Sequence, residues 1–133
     1  MTLRRSQDCI LNGNILQDCQ AGRHLLPEAP ELQREALLEL FDCRNVIISN
    51  CQILDSAPSG LRIDNCQELT LSATTIADRR SPPLQQSAIL WTGPSRDSLI
   101  TACRLGPCLA DVIRADEMPL VSNCILRSGI GRP

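Results

Sequence analysis

The 133-residue sequence has very few aromatic side chains, with one Trp, one Phe and no Tyr. Proteins that hold single-stranded nucleic acid stack the bases on aromatic side chains, and this chain has almost none to offer. The sequence also has no cluster of charge of one sign. Its thirteen Lys and Arg and fifteen Asp and Glu are scattered along the chain and leave a net charge of −2. A nucleic-acid-binding surface needs clustered basic residues. Both absences predict a protein that does not bind nucleic acid.

Long apolar segments are absent as well. The sequence contains no run of about 18 apolar residues, so it predicts no membrane span. The N-terminus lacks the apolar stretch of a signal peptide, and the first repeat begins almost at once. The length favours one domain over residues 1–133, which we expect to be either a minimal short unit or a fragment of a longer protein.

What the sequence does contain is a ragged repeat of short apolar stretches. Each copy has a strand-like stretch, a turn of two small or polar residues and a second apolar stretch. The copies are residues 9–16, 46–53, 69–76, 98–105 and 119–126. Such self-similarity is typical of solenoids, in which each repeat buries its apolar face against its neighbours. A third short strand is predicted in each coil, for example at residues 61–63 and 89–91.

Alignment of the copies on Ile48 predicts which side chains point inward. Two columns are aliphatic throughout, and side chains alternate between the two faces of a strand. The first column contains Leu11, Ile48, Leu71, Ile100 and Val121, and the second contains Leu16, Ile53, Ile76, Leu105 and Leu126. Gly13 and Asn50 at the turn between them tolerate a left-handed backbone. We therefore predict an all-β fold, a parallel β-helix of about five coils with three short strands per coil.

Two longer intervals predict insertions at one corner of the coil. The first, residues 20–35, contains Pro30 followed by good helix formers, which predicts a short helix or loop insertion near residues 27–37, with the helix ending at about Leu37. The second, residues 79–86, predicts a surface loop. His24 lies in the first insertion without a second His or a nearby nucleophile, so we expect a loop residue rather than a catalytic base.

Eight cysteines leave three interpretations open. Cys51, Cys103 and Cys124 occupy one position of the repeat, and Cys43 and Cys66 occupy another, which favours free thiols buried in a narrow core. Disulfides, as in small secreted proteins, are the second interpretation. A metal site is the third, although the cysteine spacing does not match that of a zinc knuckle.

The turn strings at residues 48–53 and 121–126, together with residues 59–66, resemble those of the right-handed parallel β-helix, or pectate-lyase-like, superfamily. The resemblance covers nearly the whole chain. It implies a right-handed solenoid with three stacked sheets and an extracytoplasmic location. It leaves the activity open, because superfamily members include polysaccharide lyases and hydrolases, adhesins and trimeric phage tailspikes.

One outward column of the predicted first strand is largely aliphatic, and we call it the aliphatic stripe. It contains Ile10, Ile47, Thr70, Leu99 and Leu120. A contiguous apolar stripe marks a contact surface, either with a second copy or with a segment of the same chain. Ile15 and Ile125, just past the turn, would widen it. The first functional hypothesis is therefore a non-catalytic structural or adhesive module that self-associates, as a trimer if it follows the superfamily.

The alternative hypothesis is a polysaccharide-active lyase or hydrolase, or a carbohydrate-binding fragment. In members of this superfamily the site lies along the strand that follows the insertion corner. The resemblance therefore implies a site formed by the outward residues of that strand, which here are Glu39, Arg62, Leu90 and Arg114. Arg62 would then balance the carboxylate of an acidic sugar. Trp91 on the same strand is either a sugar platform or a core residue.

Three carboxylates at the next corner complete this alternative. Asp42, Asp64 and Asp116 follow the outward strand on successive coils. Stacked carboxylates can share a proton, activate water or bind calcium. Asp at corners also caps turns through hydrogen bonds to the backbone, so a structural role is the competing interpretation. Apart from this calcium possibility, the sequence predicts no metal or other cofactor.

Overall fold

The computed structural model describes residues 1–17 and 35–128, which form strands and turns without a helix. Fifteen strands in these residues build three parallel sheets of five strands each. Successive strands enter the three sheets in a fixed rotation, so the fold is a parallel β-helix of five coils with three strands per coil, as predicted. The described residues contain no helix long and apolar enough to cross a membrane.

The three sheets are named A, B and C in the order in which the chain first enters them. Sheet A contains β1 (Thr2–Arg4), β4 (Ala36–Phe41), β7 (Ser59–Asp64), β10 (Ser87–Thr92) and β13 (Ile113–Ala115). Sheet B contains β2 (Gln7–Asn12), β5 (Arg44–Ser49), β8 (Gln67–Ser72), β11 (Leu99–Thr101) and β14 (Leu120–Ser122). Sheet C contains β3 (Ile15–Gln17), β6 (Gln52–Leu54), β9 (Thr75–Ala77), β12 (Arg104–Cys108) and β15 (Ile125–Ser128).

The predicted inward columns are superposed in the core. Ile48 pairs with Leu11 and Leu71 on the neighbouring coils, and Ile100 pairs with Leu71 and Val121. The second column is aligned in the same way, with the pairs Leu16–Ile53, Ile53–Ile76, Ile76–Leu105 and Leu105–Leu126. The members on the middle three coils are almost completely buried. Each fully buried aliphatic side chain contributes roughly 1.5–3 kcal/mol to the free energy of unfolding.

The turn between sheets B and C has the same left-handed backbone in every coil. Its residues with positive φ are Gly13, Asn50, Ala73, Ala102 and Asn123. The preceding polar residues form hydrogen bonds between coils. Ser49 Oγ donates to Asn12 Oδ1 over 3.1 Å, and Ser122 Oγ donates to Thr101 Oγ1 over 3.0 Å.

Small donor side chains follow the turn on coils two to five and bind the backbone. Cys51 Sγ donates to Ser49 O over 3.3 Å, and Thr74 Oγ1 takes the same role on the next coil, donating to Ser72 O over 2.9 Å. The described cysteines are all free, and they are Cys9, Cys43, Cys51, Cys66, Cys103, Cys108 and Cys124. Burial raises the pKa of the Cys66 thiol to about 11, and the same holds for Cys103 and Cys108. These three thiols are therefore protonated at neutral pH.

Two details of the chain differ from the sequence-based expectations. The prediction of a helix that ends at about Leu37 is wrong for its last two residues. They belong to β4, which begins at Ala36, and Ala36 pairs with Ser59. Burial of Leu37 and pairing with β7 outweigh the local helix propensity there. The rest of the predicted insertion, including His24, lies outside the described residues. The short strand β1, which pairs with β4, was not predicted.

Candidate functional site on the outer face of sheet A

Two outward columns of sheet A lie side by side and form the candidate site. The first contains Thr2, Glu39, Arg62, Leu90 and Arg114, in the register expected from the sequence. The second contains Arg4, Phe41, Asp64 and Thr92. We call the set Arg4, Glu39, Phe41, Arg62, Asp64 and Arg114 the sheet A face. Because residues two apart on a strand share a face, the Arg62 and Asp64 side chains leave β7 about 7 Å apart.

Phe41 lies against two guanidinium groups. The Cζ atom of Arg4 is 4.3 Å from the centroid of the Phe41 ring, and that of Arg62 is 5.0 Å from it. These are cation–π distances, at which a ring attracts a guanidinium group through its quadrupole. Phe41 therefore contacts two guanidinium groups of this face.

Glu39 is the buried anion of the site. Its Oε2 accepts a hydrogen bond of 3.0 Å from the backbone N–H of Glu35 and lies 3.8 Å from Nη1 of Arg62. Its side chain is almost fully buried, whereas that of Arg62 is 29% exposed. The Nε of Arg62 is buried and has no hydrogen-bond partner among the described residues. Arg62 is thus held by Glu39 and Phe41, and only the exposed part of its side chain can meet a ligand.

The corner carboxylates do not form the stacked row that the sequence suggested. Asp64 pairs with Phe41 and Thr92, so it belongs to sheet A and not to the column of Asp42. Asp42 instead aligns with Asn65, whose Nδ2 donates to Asp42 Oδ1 over 2.8 Å. The offset arises because the corner residue with positive φ is Asp42 on coil two and Asn65 on coil three. A one-residue shift of register moves a side chain to a different face.

Two of the three candidate carboxylates hold corners together. Asp42 accepts the hydrogen bond from Asn65, and Asp116 Oδ2 accepts one of 2.9 Å from the backbone N–H of Gly93. The carboxylate of Asp64 makes neither a hydrogen bond nor an ion pair with another residue of the described ranges. Of the three, Asp64 is therefore the one with its acceptor capacity available to a ligand.

Trp91 belongs to the core. Its side chain is completely buried, and Nε1 donates a hydrogen bond of 3.2 Å to Pro94 O. It pairs with Ile63 in the inward column of sheet A. A sugar cannot stack on this ring, so the interpretation of Trp91 as a platform is wrong.

The aliphatic stripe lies on the outer face of sheet B, in register. Ile10 pairs with Ile47, Thr70 pairs with both Ile47 and Leu99, and Leu99 pairs with Leu120. Ile10 is 68% exposed, Ile47 37% and Leu120 69%. Large apolar side chains are therefore exposed at both ends and on the second coil of the sheet.

Ile15 and Ile125 are also exposed, on sheet C rather than on sheet B, and their contribution to the stripe stays a prediction. They lie at the two ends of the outward column of sheet C. Gln52, Thr75 and Arg104 separate them. The outward column of sheet C is thus polar on the three middle coils and apolar at its two ends.

The part of the chain that the structure describes contains no cluster of metal-binding side chains. Residues 1–17 and 35–128 contain no group of three or more His, Cys, Asp or Glu side chains that could hold a metal ion. Calcium binding by the corner carboxylates stays a prediction.

Comparison with known proteins gives a match of fold. No protein-family model matches the sequence. No curated protein matches it either. Among solved structures, the chain is similar to a "putative glycosyl hydrolase" from Parabacteroides merdae ATCC 43184, with a TM-score of 0.69 and 15% sequence identity. The match covers 94% of this chain and 60% of the Parabacteroides chain, so it spans less than two thirds of that protein. At this identity the similarity shows the fold alone.

Sequence reasoning missed the roles of Phe41 and Arg4. Both lie on the outer face because β1 and β4 alternate inward and outward residues from Leu3 and Leu40. The alternation of Leu38, Glu39, Leu40 and Phe41 was a usable signal for Phe41. Arg4 carried no comparable signal, because a strand of three residues is too short to show a period.

Proposed function

We propose that this protein is a β-helix module that binds a polysaccharide along the sheet A face without cleaving it. The observation that carries the proposal is the pair formed by Arg62 and Asp64 on one face of β7. The Arg62 side chain is 29% exposed, and the Asp64 carboxylate has no partner among the described residues. A guanidinium group can bind a sugar carboxylate through two parallel hydrogen bonds, and a carboxylate accepts hydrogen bonds from sugar hydroxyls.

The shape of the face also supports a chain-like ligand. Neighbouring strands in a sheet lie about 4.8 Å apart, so the outward columns present side chains at regular steps along the axis of the helix. Arg4, Arg62 and Arg114 lie on coils one, three and five of this face. The Parabacteroides protein, described as a "putative glycosyl hydrolase", has a similar fold. A carbohydrate ligand agrees with that description, and the extracytoplasmic location is proposed from the resemblance to the parallel β-helix superfamily alone.

Binding without cleavage is preferred because of the state of the carboxylates. Glycoside hydrolases use two carboxyl groups about 5–10 Å apart, one on each side of the bond that is cleaved. Glu39 is buried and occupied by the Glu35 N–H and by Arg62. Asp42 and Asp116 are occupied at corners. The sheet A face therefore offers no second free carboxylate that could act with Asp64 as a catalytic pair.

The test is affinity electrophoresis of the full chain in gels containing polygalacturonate, with dextran as the neutral control. We expect retardation by polygalacturonate, and we expect Arg62→Ala and Asp64→Ala each to weaken it at least tenfold. Arg62→Lys should lose most of the binding, since an ammonium cannot form the paired hydrogen bonds. Arg96→Ala is the matched control, because Arg96 is exposed and outside the sheet A face. Unchanged retardation of Arg62→Ala would contradict the proposal.

Two further measurements separate binding from the other hypotheses. Release of reducing ends or of unsaturated products from polygalacturonate would replace the binding function by hydrolase or lyase activity. Binding that disappears with a chelator and returns with calcium would place a calcium ion between the carboxylates and the polysaccharide.

Self-association through the aliphatic stripe is the second candidate function. It is favoured by the exposure of Ile10 and Leu120 at the two ends of sheet B, with Ile47 between them. Burial of this column against a second copy would remove the apolar side chains from water. Light scattering after size exclusion should give one defined oligomer, a trimer if it follows the β-helix relatives. The double variant Ile47→Asp with Leu99→Asp should be a monomer or precipitate. A well-behaved wild-type monomer would argue against this function.

A further inference from the structure

A second surface, on sheet C and separate from the stripe and from the sheet A face, has the features of an anion site. An open cleft of about 380 Å³ runs across the outer face of sheet C. Thr75 on β9, Arg104 on β12 and Arg127 on β15 line it, together with Arg79 from the loop that follows β9. Ligand pockets typically have volumes of about 300–1,000 Å³, so this cleft can hold a small organic molecule.

The charge of the cleft is positive and only partly compensated. Three arginines line it, and no carboxylate does. Arg79 is paired with Asp55 outside the lining, with Nη2 donating to Asp55 Oδ2 over 2.8 Å and the backbone N–H donating to Asp55 Oδ1 over 2.8 Å. The side chains of Arg104 and Arg127 form no ion pair with another described residue. Two positive charges are therefore left without a counter-charge.

The backbone brings these arginines together from distant parts of the sequence. Thr75 pairs with Arg104, and Arg104 pairs with Ile125, two residues before Arg127. Residues two apart on a strand share a face, so Arg127 projects on the same side as Ile125. Gly106 permits a close approach, because a Cβ atom there would collide with the carbonyl oxygen of Arg127. The floor next to the arginines is thus free of side chains at Gly106.

We propose that this cleft binds the phosphate group of a small organic phosphate monoester. A phosphate monoester carries a charge of about −1.5 to −2 at pH 7 and has three acceptor oxygens, which matches two free guanidinium groups and the Thr75 hydroxyl. A sugar carboxylate offers one charge and two oxygens and would leave one guanidinium group uncompensated. The walls also include apolar side chains, such as Pro107 and Ile125, that can contact the organic part. This site is separate from the sheet A face, and it does not rest on polysaccharide binding.

The experiment is isothermal titration calorimetry of the 133-residue chain with three probes, namely glucose 6-phosphate, inorganic phosphate and glucose. We expect glucose 6-phosphate to bind more tightly than inorganic phosphate, and glucose alone not to bind. Arg104→Ala and Arg127→Ala should each weaken binding of glucose 6-phosphate at least tenfold. Both side chains are exposed, so these variants should keep the fold, which the emission of the buried Trp91 reports.

Matched controls make the outcomes decisive. Arg96→Ala removes an exposed arginine outside the cleft and should bind glucose 6-phosphate like the wild type. Arg62→Ala should also leave this binding unchanged while it impairs retention by polysaccharide. The proposal is overturned if glucose 6-phosphate does not bind at millimolar concentration, or if the double variant Arg104→Ala with Arg127→Ala binds it like the wild type. Equal affinity for inorganic phosphate would overturn the assignment to a monoester.

Discussion

Asp78 should contribute to stability in a way that depends on pH. Its carboxylate is fully buried in the loop between β9 and β10. It accepts hydrogen bonds from Nε and Nη2 of Arg80 over 2.8 and 2.9 Å. It also accepts bonds from the backbone N–H groups of Leu84 over 2.6 Å and of Gln85 over 2.8 Å. Burial alone would raise the pKa of Asp78, but the hydrogen bonds from Arg80, Leu84 and Gln85 outweigh it and lower the pKa from 3.8 to about 2.

The contribution of Asp78 to the free energy of unfolding follows from the difference between its pKa in the folded and in the unfolded state. The folded state holds the proton less tightly than the unfolded chain, so ionised Asp78 stabilises the fold at every pH above about 3.8. This pKa difference corresponds to about 2 kcal/mol of the free energy of unfolding, and that stabilisation is lost as the pH falls from about 4 to 2. Asp78→Asn removes the negative charge that accepts the hydrogen bonds from Arg80. We expect this variant to lose about 3 kcal/mol at pH 7, because removal of one partner of a buried ion pair typically costs this much.

Urea unfolding at pH 7, 5, 3 and 2 measures the effect. The emission of Trp91, the single Trp of the chain, is the probe, since its indole is buried in coil four. Asp111→Asn is the control, because Asp111 is exposed. The difference between wild type and Asp78→Asn should be largest at pH 7 and shrink below pH 4, while that of the control stays within about 0.5 kcal/mol. A difference that is absent at pH 7, or that stays constant down to pH 2, would refute this reasoning.

Three further predictions concern the coils. Leu71→Ala, in the fully buried column of sheet B, should lower the free energy of unfolding by about 2–5 kcal/mol in urea titrations, whereas Ile10→Ala at the exposed stripe should change it by less than about 1 kcal/mol. Cys66 and Cys103 should react with a disulfide reagent at pH 8 only as fast as the protein unfolds, because burial raises the pKa of both thiols to about 11; rapid modification in the folded state would contradict their burial. Ala102→Gly should raise the urea midpoint by an amount equivalent to about 0.5–1 kcal/mol, since Ala102 has a φ of 56°, and a lower midpoint would show that the left-handed turn is not strained.

The sheet A face shows how far the sequence alone reaches into the site. Alternation along short strands was sufficient to place Glu39, Arg62 and Arg114 in one outward column, because the period of two is a local property of the chain. It did not determine which carboxylate is free. That depends on a one-residue offset at the corner, where Asp42 bonds to Asn65 and Asp64 remains on the sheet.

The repeat by itself determined the parallel β-helix, its five coils, the two aliphatic core columns and the left-handed turn between sheets B and C. These features depend on residue type at equivalent positions. Every coil needs aliphatic side chains that point inward and a turn residue that can adopt a left-handed backbone. Only the tertiary structure decided that Trp91 is buried and that Arg79, Arg104 and Arg127 line one cleft. Their sequence separations depend on loops of variable length, which carry no period, so their proximity follows from how the coils stack.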